Sequence, residues 1–257
     1  MEHNSYEPDW DIYFDTIEHK PAYIGVDLNL HSFAPLIDKI HVIEISIQLL
    51  TNDLDGFPAD EEWEALGQIE DGLAEKLETE LQAIFSGKTL ADGRRRFYFY
   101  AAYLDQYERC ISEVMSSFPT YEYEYKSYED PSWDTYFHLL FPQPISLQRI
   151  SNSRVVRHLQ EQGDQQEVPR QIDHWIYFQN PADREAYWQA IKDKGFQIEA
   201  LEFEEEYAEM PYKPQLSRVD QADEKTINEV CIELWQLAKE YNGEYDGWET
   251  YFIKADQ

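Results

Sequence analysis

Hydrophobic and polar positions alternate clearly early in the chain. Ala22, Ile24, Val26, Leu28 and Leu30 alternate with Tyr23, Gly25, Asp27 and Asn29, a period of two that predicts a strand with one buried face. A second strand is predicted over about 40–49, with Ile43, Ile45, Ile47 and Leu49 on one face. Asp53-Leu54-Asp55-Gly56-Phe57-Pro58 has the composition of a turn. The period then changes: Leu66, Ile69, Leu73, Leu77, Leu81 and Ile84 step by three or four, predicting a helix over about 60–85 with one apolar stripe. Asp60, Glu61 and Glu62 suit the first turn of that helix, where its dipole favours negative charge. Arg95 to Tyr103 is almost wholly apolar and aromatic beyond Arg96 and predicts a strand covered on both faces. A helix at about 104–117 and a strand at 120–128, with Tyr121, Tyr123 and Tyr125 on one face, complete the first set. They predict an antiparallel sheet with helices on one face.

Phe141-Pro142-Gln143-Pro144 interrupts regular structure and divides the chain into domains 1–145 and 146–257. In the second, Val155, Val156 and Leu159 mark a helix over about 151–162 that ends at Gly163-Asp164. A strand at 171–178 sets Ile172, His174, Ile176 and Phe178 on one face. Asn180-Pro181 opens a helix, which Gly195 closes. Strands at 196–206 and 212–219 follow. The helix at 222–242 carries Ile227, Val230, Cys231, Leu234, Leu237, Ala238 and Tyr241 on one stripe, and a strand over 245–253 ends the set. The order after the leading helix is β-α-β-β-α-β, the ferredoxin-like split βαβ arrangement. The fold class expected is therefore α+β, two domains of antiparallel sheet with helices packed on it. Pro8-Asp9-Trp10-Asp11-Ile12-Tyr13-Phe14 echoes Pro131-Ser132-Trp133-Asp134-Thr135-Tyr136-Phe137, a weak sign of repetition.

Charge narrows the choice of partner. The chain has 52 Asp and Glu against 21 Lys and Arg, a net charge of −31. Residues 1–145 hold 29 acids and 9 bases, and 146–257 hold 23 and 12. Aromatics make up 15%, which separates this composition from acidic disordered chains. No apolar run approaches the ~20 residues of a membrane span, and the first residues have neither the basic nor the apolar region of a signal peptide. Cys110 and Cys231 are the two cysteines, too few for a disulfide framework or a zinc site. A soluble, cytoplasmic protein is expected, without cofactor or metal. Nucleic acid is contacted mainly through Lys and Arg, so a basic protein segment is the better-matched partner.

Candidate chemistry is sparse. No G-x-S-x-G, H-E-x-x-H, Walker A or C-x-x-C pattern occurs, and no catalytic residue is assigned. His174 lies between Asp173 and Trp175, but neighbours on a strand point to opposite faces, so a buried structural histidine is favoured. Arg94-Arg95-Arg96 before Phe97-Tyr98-Phe99-Tyr100 is the best nucleic-acid lead, weighed against a core strand capped by paired arginines. Glu202, Glu204, Glu205 and Glu206 form an acidic strand that suits either an Arg-rich partner or plain solvation. Tyr245, Asp246 and Trp248 read either as a docking patch or as a folding signature in which Gly247 makes a bulge and Trp248 fills the core. The enzyme alternative is a hydrolase or nuclease using scattered carboxylates with Mg²⁺; an adaptor module unconnected with RNA turnover is the third reading.

Two resemblances bear on that choice. Asn242-Gly243-Glu244-Tyr245-Asp246-Gly247-Trp248-Glu249-Thr250-Tyr251-Phe252, after an amphipathic helix, resembles the closing segment of the RraB family, regulators of ribonuclease activity. The helix leading to Gly195-Phe196 and an acidic strand is similar to that family's step into its first hairpin, so the resemblance covers roughly 171–253. The N-terminal half, with its paired strands, Gly87-Lys88-Thr89-Leu90-Ala91-Asp92-Gly93-Arg94-Arg95 and the aromatic strand after it, resembles domain of unknown function 695. Fusions of these modules in bacterial proteins match this layout. The resemblance implies a ferredoxin-like second domain and a non-enzymatic role. Its partner would be the basic scaffold region of an RNase E-type ribonuclease, bound without direct contact to nucleic acid. Glu202, Glu204, Glu206, Tyr245, Asp246 and Trp248 are the candidate partner-binding residues.

Overall fold

The computed structural model describes residues 6–51, 53–203 and 209–254. The chain divides into two compact units, Met1–Ser146 and Leu147–Gln257.

In the first unit, β1 (Trp10–Ile17), β2 (Lys20–Asp27), β3 (His41–Gln48), β4 (Ile84–Ala91), β5 (Arg94–Ala101) and β6 (Tyr123–Glu129) form one antiparallel sheet, ordered β1-β2-β4-β5-β3-β6. The β1–β2 hairpin turns on Glu18 and His19, at φ 51° and 66°, the left-handed pair whose twist matches that of the strands. Helices α1 (Trp63–Leu81) and α2 (Tyr107–Met115) cover one face. There Leu66, Ile69, Leu73 and Leu77 meet Ile43, Ile45, Ile47, Phe97 and Phe99, all fully buried. The opposite face carries a π-helical turn at Thr135–Leu140, in addition to the helices expected on one side. Tyr13 Oη donates to the Leu140 carbonyl at 3.0 Å and Tyr136 Oη to the Asp27 carbonyl at 2.8 Å, while Trp133 stacks on Tyr100. Cover on both sides is why Phe97, Tyr98, Phe99 and Tyr100 are buried at successive positions.

Two strands are not expected from the sequence pattern. β1 turns Ile12 and Phe14 outward into exposure, so its apolar alternation marks no buried face. β4 begins at Ile84, which lies in phase with the α1 stripe. The helix stops earlier because Gln82 takes a left-handed conformation at φ 50° and its N–H returns to the Leu77 carbonyl. The echo around Trp10 and Trp133 marks no structural repeat: Trp10 is half-exposed on β1, whereas Trp133 is fully buried ahead of the π-helical turn.

The second unit is reached through α3 (Pro144–Glu161) and continues as β7 (Arg170–Phe178), α4 (Pro181–Ile191), β8 (Gln197–Phe203), β9 (Tyr212–Asp220), α5 (Glu224–Glu240) and β10 (Gly243–Thr250). The antiparallel order β10-β7-β9-β8 makes it a ferredoxin-like domain. Asn180 caps α4 by accepting from the Asp183 N–H at 3.0 Å, with Pro181 in the first turn, and Asp223 caps α5 by accepting from the Thr226 N–H at 3.0 Å. Ile176, Phe178, Tyr187, Ile191, Phe196, Leu216 and Leu234 fill the space between sheet and helices, and Val156 and Leu159 of α3 pack with Ile172, Ile227 and Cys231. A fully buried ion pair, Arg170 to Asp164 at 2.7 Å, joins the start of β7 to the segment before it. Arg170 also donates to the Tyr251 carbonyl, and Asp164 accepts from the Ile253 N–H.

A candidate partner-binding face on the second domain

Strand parity decides which side chains leave the core. On β7, Ile172, His174, Ile176 and Phe178 are buried beneath the helices, so Gln171, Asp173, Trp175 and Tyr177 point to the other face. The register extends that face across the sheet. Asp173 pairs with Ser217 and Glu249, Trp175 with Gln215 and Gly247, and Tyr177 with Glu244. Glu202 pairs with Lys213 on the far strand. Ser217 Oγ donates to the carboxylate of Glu199 at 2.5 Å, and Lys213 Nζ lies 5.0 Å over the Tyr177 ring. Asp173, Glu199, Glu202, Glu244 and Glu249 make this face acidic, and Lys213 is the one cation that the described strand residues place on it.

The closing motif is split by a bulge. The register of β10 against β7 shifts between Tyr245 and Gly247, and Gly247 sits at φ 143°, a region that favours glycine. An unbroken strand would turn Tyr245 and Trp248, three residues apart, to opposite faces. The extra residue brings both inward, Tyr245 opposite Ile176 and Trp248 opposite His174. Tyr245 Oη lies 2.9 Å from His174 Nδ1 and 3.2 Å from Cys231 Sγ. Burial pushes the His174 imidazole down to about 3, assisted by the charge of Arg218, and raises the Cys231 thiol to about 12 against the opposing effect of the Tyr245 hydrogen bond. At neutral pH the cluster is uncharged, and Cys231 is a buried thiol without thiolate reactivity.

Trp248 Nε1 donates to Asn152 Oδ1 at 3.1 Å, and Asn152 Nδ2 donates to Asn228 Oδ1 at 3.0 Å. Asn152 thereby ties β10 to α3 and α5. Beside this link Gln148, Ser151, Trp175, Asp246 and Glu249 help to line a cavity of about 220 Å³. Asp246, at the bulge, is exposed.

The candidate residues of the sequence therefore fall in separate places. Tyr245 is partly buried against the core, Trp248 is half-buried against α3, and Asp246 faces solvent at the β10 edge. Glu202 is exposed on β8, the opposite edge, three strand spacings or about 14 Å away. Glu204 and Glu206 lie outside the described residues. Between the two edges stand Asp173, Trp175 and Tyr177, which the sequence reading did not propose. The alternation of β7 carries their signal, since a strand that turns Ile172, His174, Ile176 and Phe178 to the core turns Asp173, Trp175 and Tyr177 away from it.

The arginine-aromatic run forms central strand β5, and its four rings are buried and unavailable for stacking on bases. Arg95 pairs with Glu70 and Arg94 with Glu124. Among the described residues no three His, Cys, Asp or Glu side chains are grouped to hold a metal ion, and no helix is long and apolar enough to cross a membrane.

Fold and face together define a two-domain α+β protein whose second, ferredoxin-like domain exposes an acidic sheet. The chain belongs to the family of unknown function DUF695, whose model matches residues 8–141. The model of Regulator of ribonuclease activity B matches residues 149–250. No curated protein matches the chain. Among solved structures, the crystal structure of an unknown protein from Galdieria sulphuraria is similar at 13% identity, over 82% of this chain and 99% of that one, with a TM-score of 0.23, too low to bear on the fold.

Proposed function

We propose that this protein is a non-catalytic regulator of a ribonuclease, acting by protein–protein binding through its second domain. The match to Regulator of ribonuclease activity B over residues 149–250 carries this reading. The partner element is a basic segment, of the kind found in the scaffold region of an RNase E-type enzyme, and it docks across the acidic face of the β7–β10 sheet. Charge complementarity supports this choice: five carboxylates share the face with Lys213, and opposite potentials accelerate encounter. Trp175 and Tyr177 supply the half-buried aromatic surface on which binding energy concentrates. Asp246 and Glu202 mark the two rims.

The test is binding of the full chain to a purified RNase E-type ribonuclease and to its basic scaffold fragment, with RNA cleavage followed in parallel. Slower cleavage and salt-sensitive binding are expected. Replacing Glu199 and Glu202 by Lys should lower the association rate about tenfold at low salt, with a smaller effect once screening sets in beyond about 8 Å. Binding without any change in cleavage would reduce the protein to an adaptor. Mg²⁺-dependent RNA cleavage by the protein alone, or tight RNA binding with no protein partner, would overturn the proposal.

A further inference from the structure

The first domain holds a site that ribonuclease binding leaves unused. Toward the β1 edge, the sheet face that carries α1 is left partly open. The register aligns Ile12, Gly25 and Lys88 in one row and Phe14, Tyr23, Leu90 and Arg95 in the next. With Trp63 at the start of α1, residues of these rows line a cavity of about 300 Å³ whose surface is mostly apolar, a size at the lower end for small-ligand sites. Ile12 and Phe14 are 58% and 51% exposed, and Tyr23 and Trp63 are also open to solvent. The floor depends on Gly25, where a Cβ would come within 2.8 Å of the Lys88 side chain.

The polar side of the cavity is cationic although its domain is strongly acidic. Lys88 Nζ meets one oxygen of Glu70 at 2.5 Å, and an Arg95 Nη meets the other. Glu70 is their shared acidic partner among the described residues, so two cations face one carboxylate. Both heads also lie beside aromatic rings, Lys88 over Trp10 at 5.9 Å and Arg95 over Trp63 at 5.8 Å. A guanidinium offers five N–H donors and an ammonium three, more than the two oxygens of Glu70 engage. Tethering α1 to the sheet would need one cation; a second, beside open apolar surface, matches a ligand with one negative charge and an apolar body.

We propose that this cavity binds a small organic monocarboxylate with a ring-sized apolar body. The body lies among Ile12, Tyr23, Leu90 and Trp63, and the carboxylate accepts from Lys88 and Arg95. The probe is 2-naphthoate, compared with its neutral isostere 2-naphthamide by calorimetric titration of the full chain and by tryptophan fluorescence. The acid should bind about tenfold more tightly than the amide, the contribution of one charge-assisted contact. Lys88→Met should bring the two affinities together while sparing the amide. Ile12→Glu, on the exposed edge strand, should abolish naphthoate binding with an unchanged thermal unfolding transition. Equal affinities in the intact protein, binding of neither probe, or an acid preference that survives both Lys88→Met and Ile12→Glu would overturn the proposal. Tighter binding of acetyl-Ala-Ala-Phe than of naphthoate would overturn it in favour of a peptide C-terminus.

Discussion

The two domains bury polar groups in different ways. In the first, carboxylates lie inside and are surrounded by donors. Asp27 accepts from the Asp9 N–H at 2.9 Å, the Asn29 N–H at 3.1 Å and Tyr6 Oη. Asp130 accepts from Tyr100 Oη at 2.7 Å and from the Asp134 and Thr135 N–H groups at 2.8 Å. In the second domain the central cluster of His174, Tyr245 and Cys231 is neutral, and full charge is buried at the Arg170–Asp164 pair near the sheet end. A buried ion is tolerated where several hydrogen bonds replace its water; an imidazole with one polar partner gives up its proton instead. Burial alone would raise the Asp130 carboxyl, but the Tyr100 hydroxyl and the two N–H groups outweigh it and hold it below the usual carboxylate range.

Breaking the buried pair should have the largest effect. Arg170→Met leaves Asp164 inside without its counter-ion, and we expect a loss of about 3–5 kcal/mol. Peptide-resolved hydrogen exchange of the full chain should place that loss in the second domain. A loss below about 1 kcal/mol would mean that water reaches Asp164 and that the pair is not buried in solution.

Acid should separate the domains next. His174 is held at about 3 when folded, against 6.5 ordinarily, so the unfolded second domain takes up a proton that the folded one refuses. Its contribution is therefore complete above pH 6.5 and falls as the pH drops toward 3, by up to about 1.4 kcal/mol per pH unit. Asp130 has the same sign in a lower window. Its depressed value contributes stability above about pH 4, lost only as the pH falls through the folded value. At pH 5 the second domain should have lost protection relative to pH 7.5 while the first is little changed by Asp130. Equal acid sensitivity in the two sets of peptides would remove the contrast.

The smallest expected effect sharpens the role of the bulge. Nothing lies within 4 Å of the position a Cβ would take at Gly247, so Gly247→Ala meets no steric obstacle beyond its own backbone. A loss of about 1 kcal/mol is expected from the unfavourable φ, measurable by urea denaturation. An unchanged midpoint would show that the bulge does not require glycine.

Much of this organisation was legible in the residues. The stripe from Ile227 to Ala238 and the alternation of Ile172, His174, Ile176 and Phe178 identified α5 and β7, because a half-buried helix or strand writes its period into the sequence. The same logic missed β1, where Ile12 and Phe14 face outward, and overran α1 at Ile84, where helical phase continued into a strand. Nor does local periodicity show that Glu202 and Asp246 occupy opposite edges of one sheet.

The sequence by itself determined the element order of the ferredoxin-like domain, the acidic character and the absence of recognisable catalytic motifs, since these depend on local periodicity and composition. Tertiary structure decided which side chains share a surface. Tyr245 and Trp248 turn to one face only because a bulge rephases β10 against β7. Lys88 and Arg95 converge on Glu70 only because β4 and β5 pair beneath α1. Such juxtapositions arise from register and packing between residues distant along the chain, and local spacing carries no record of them.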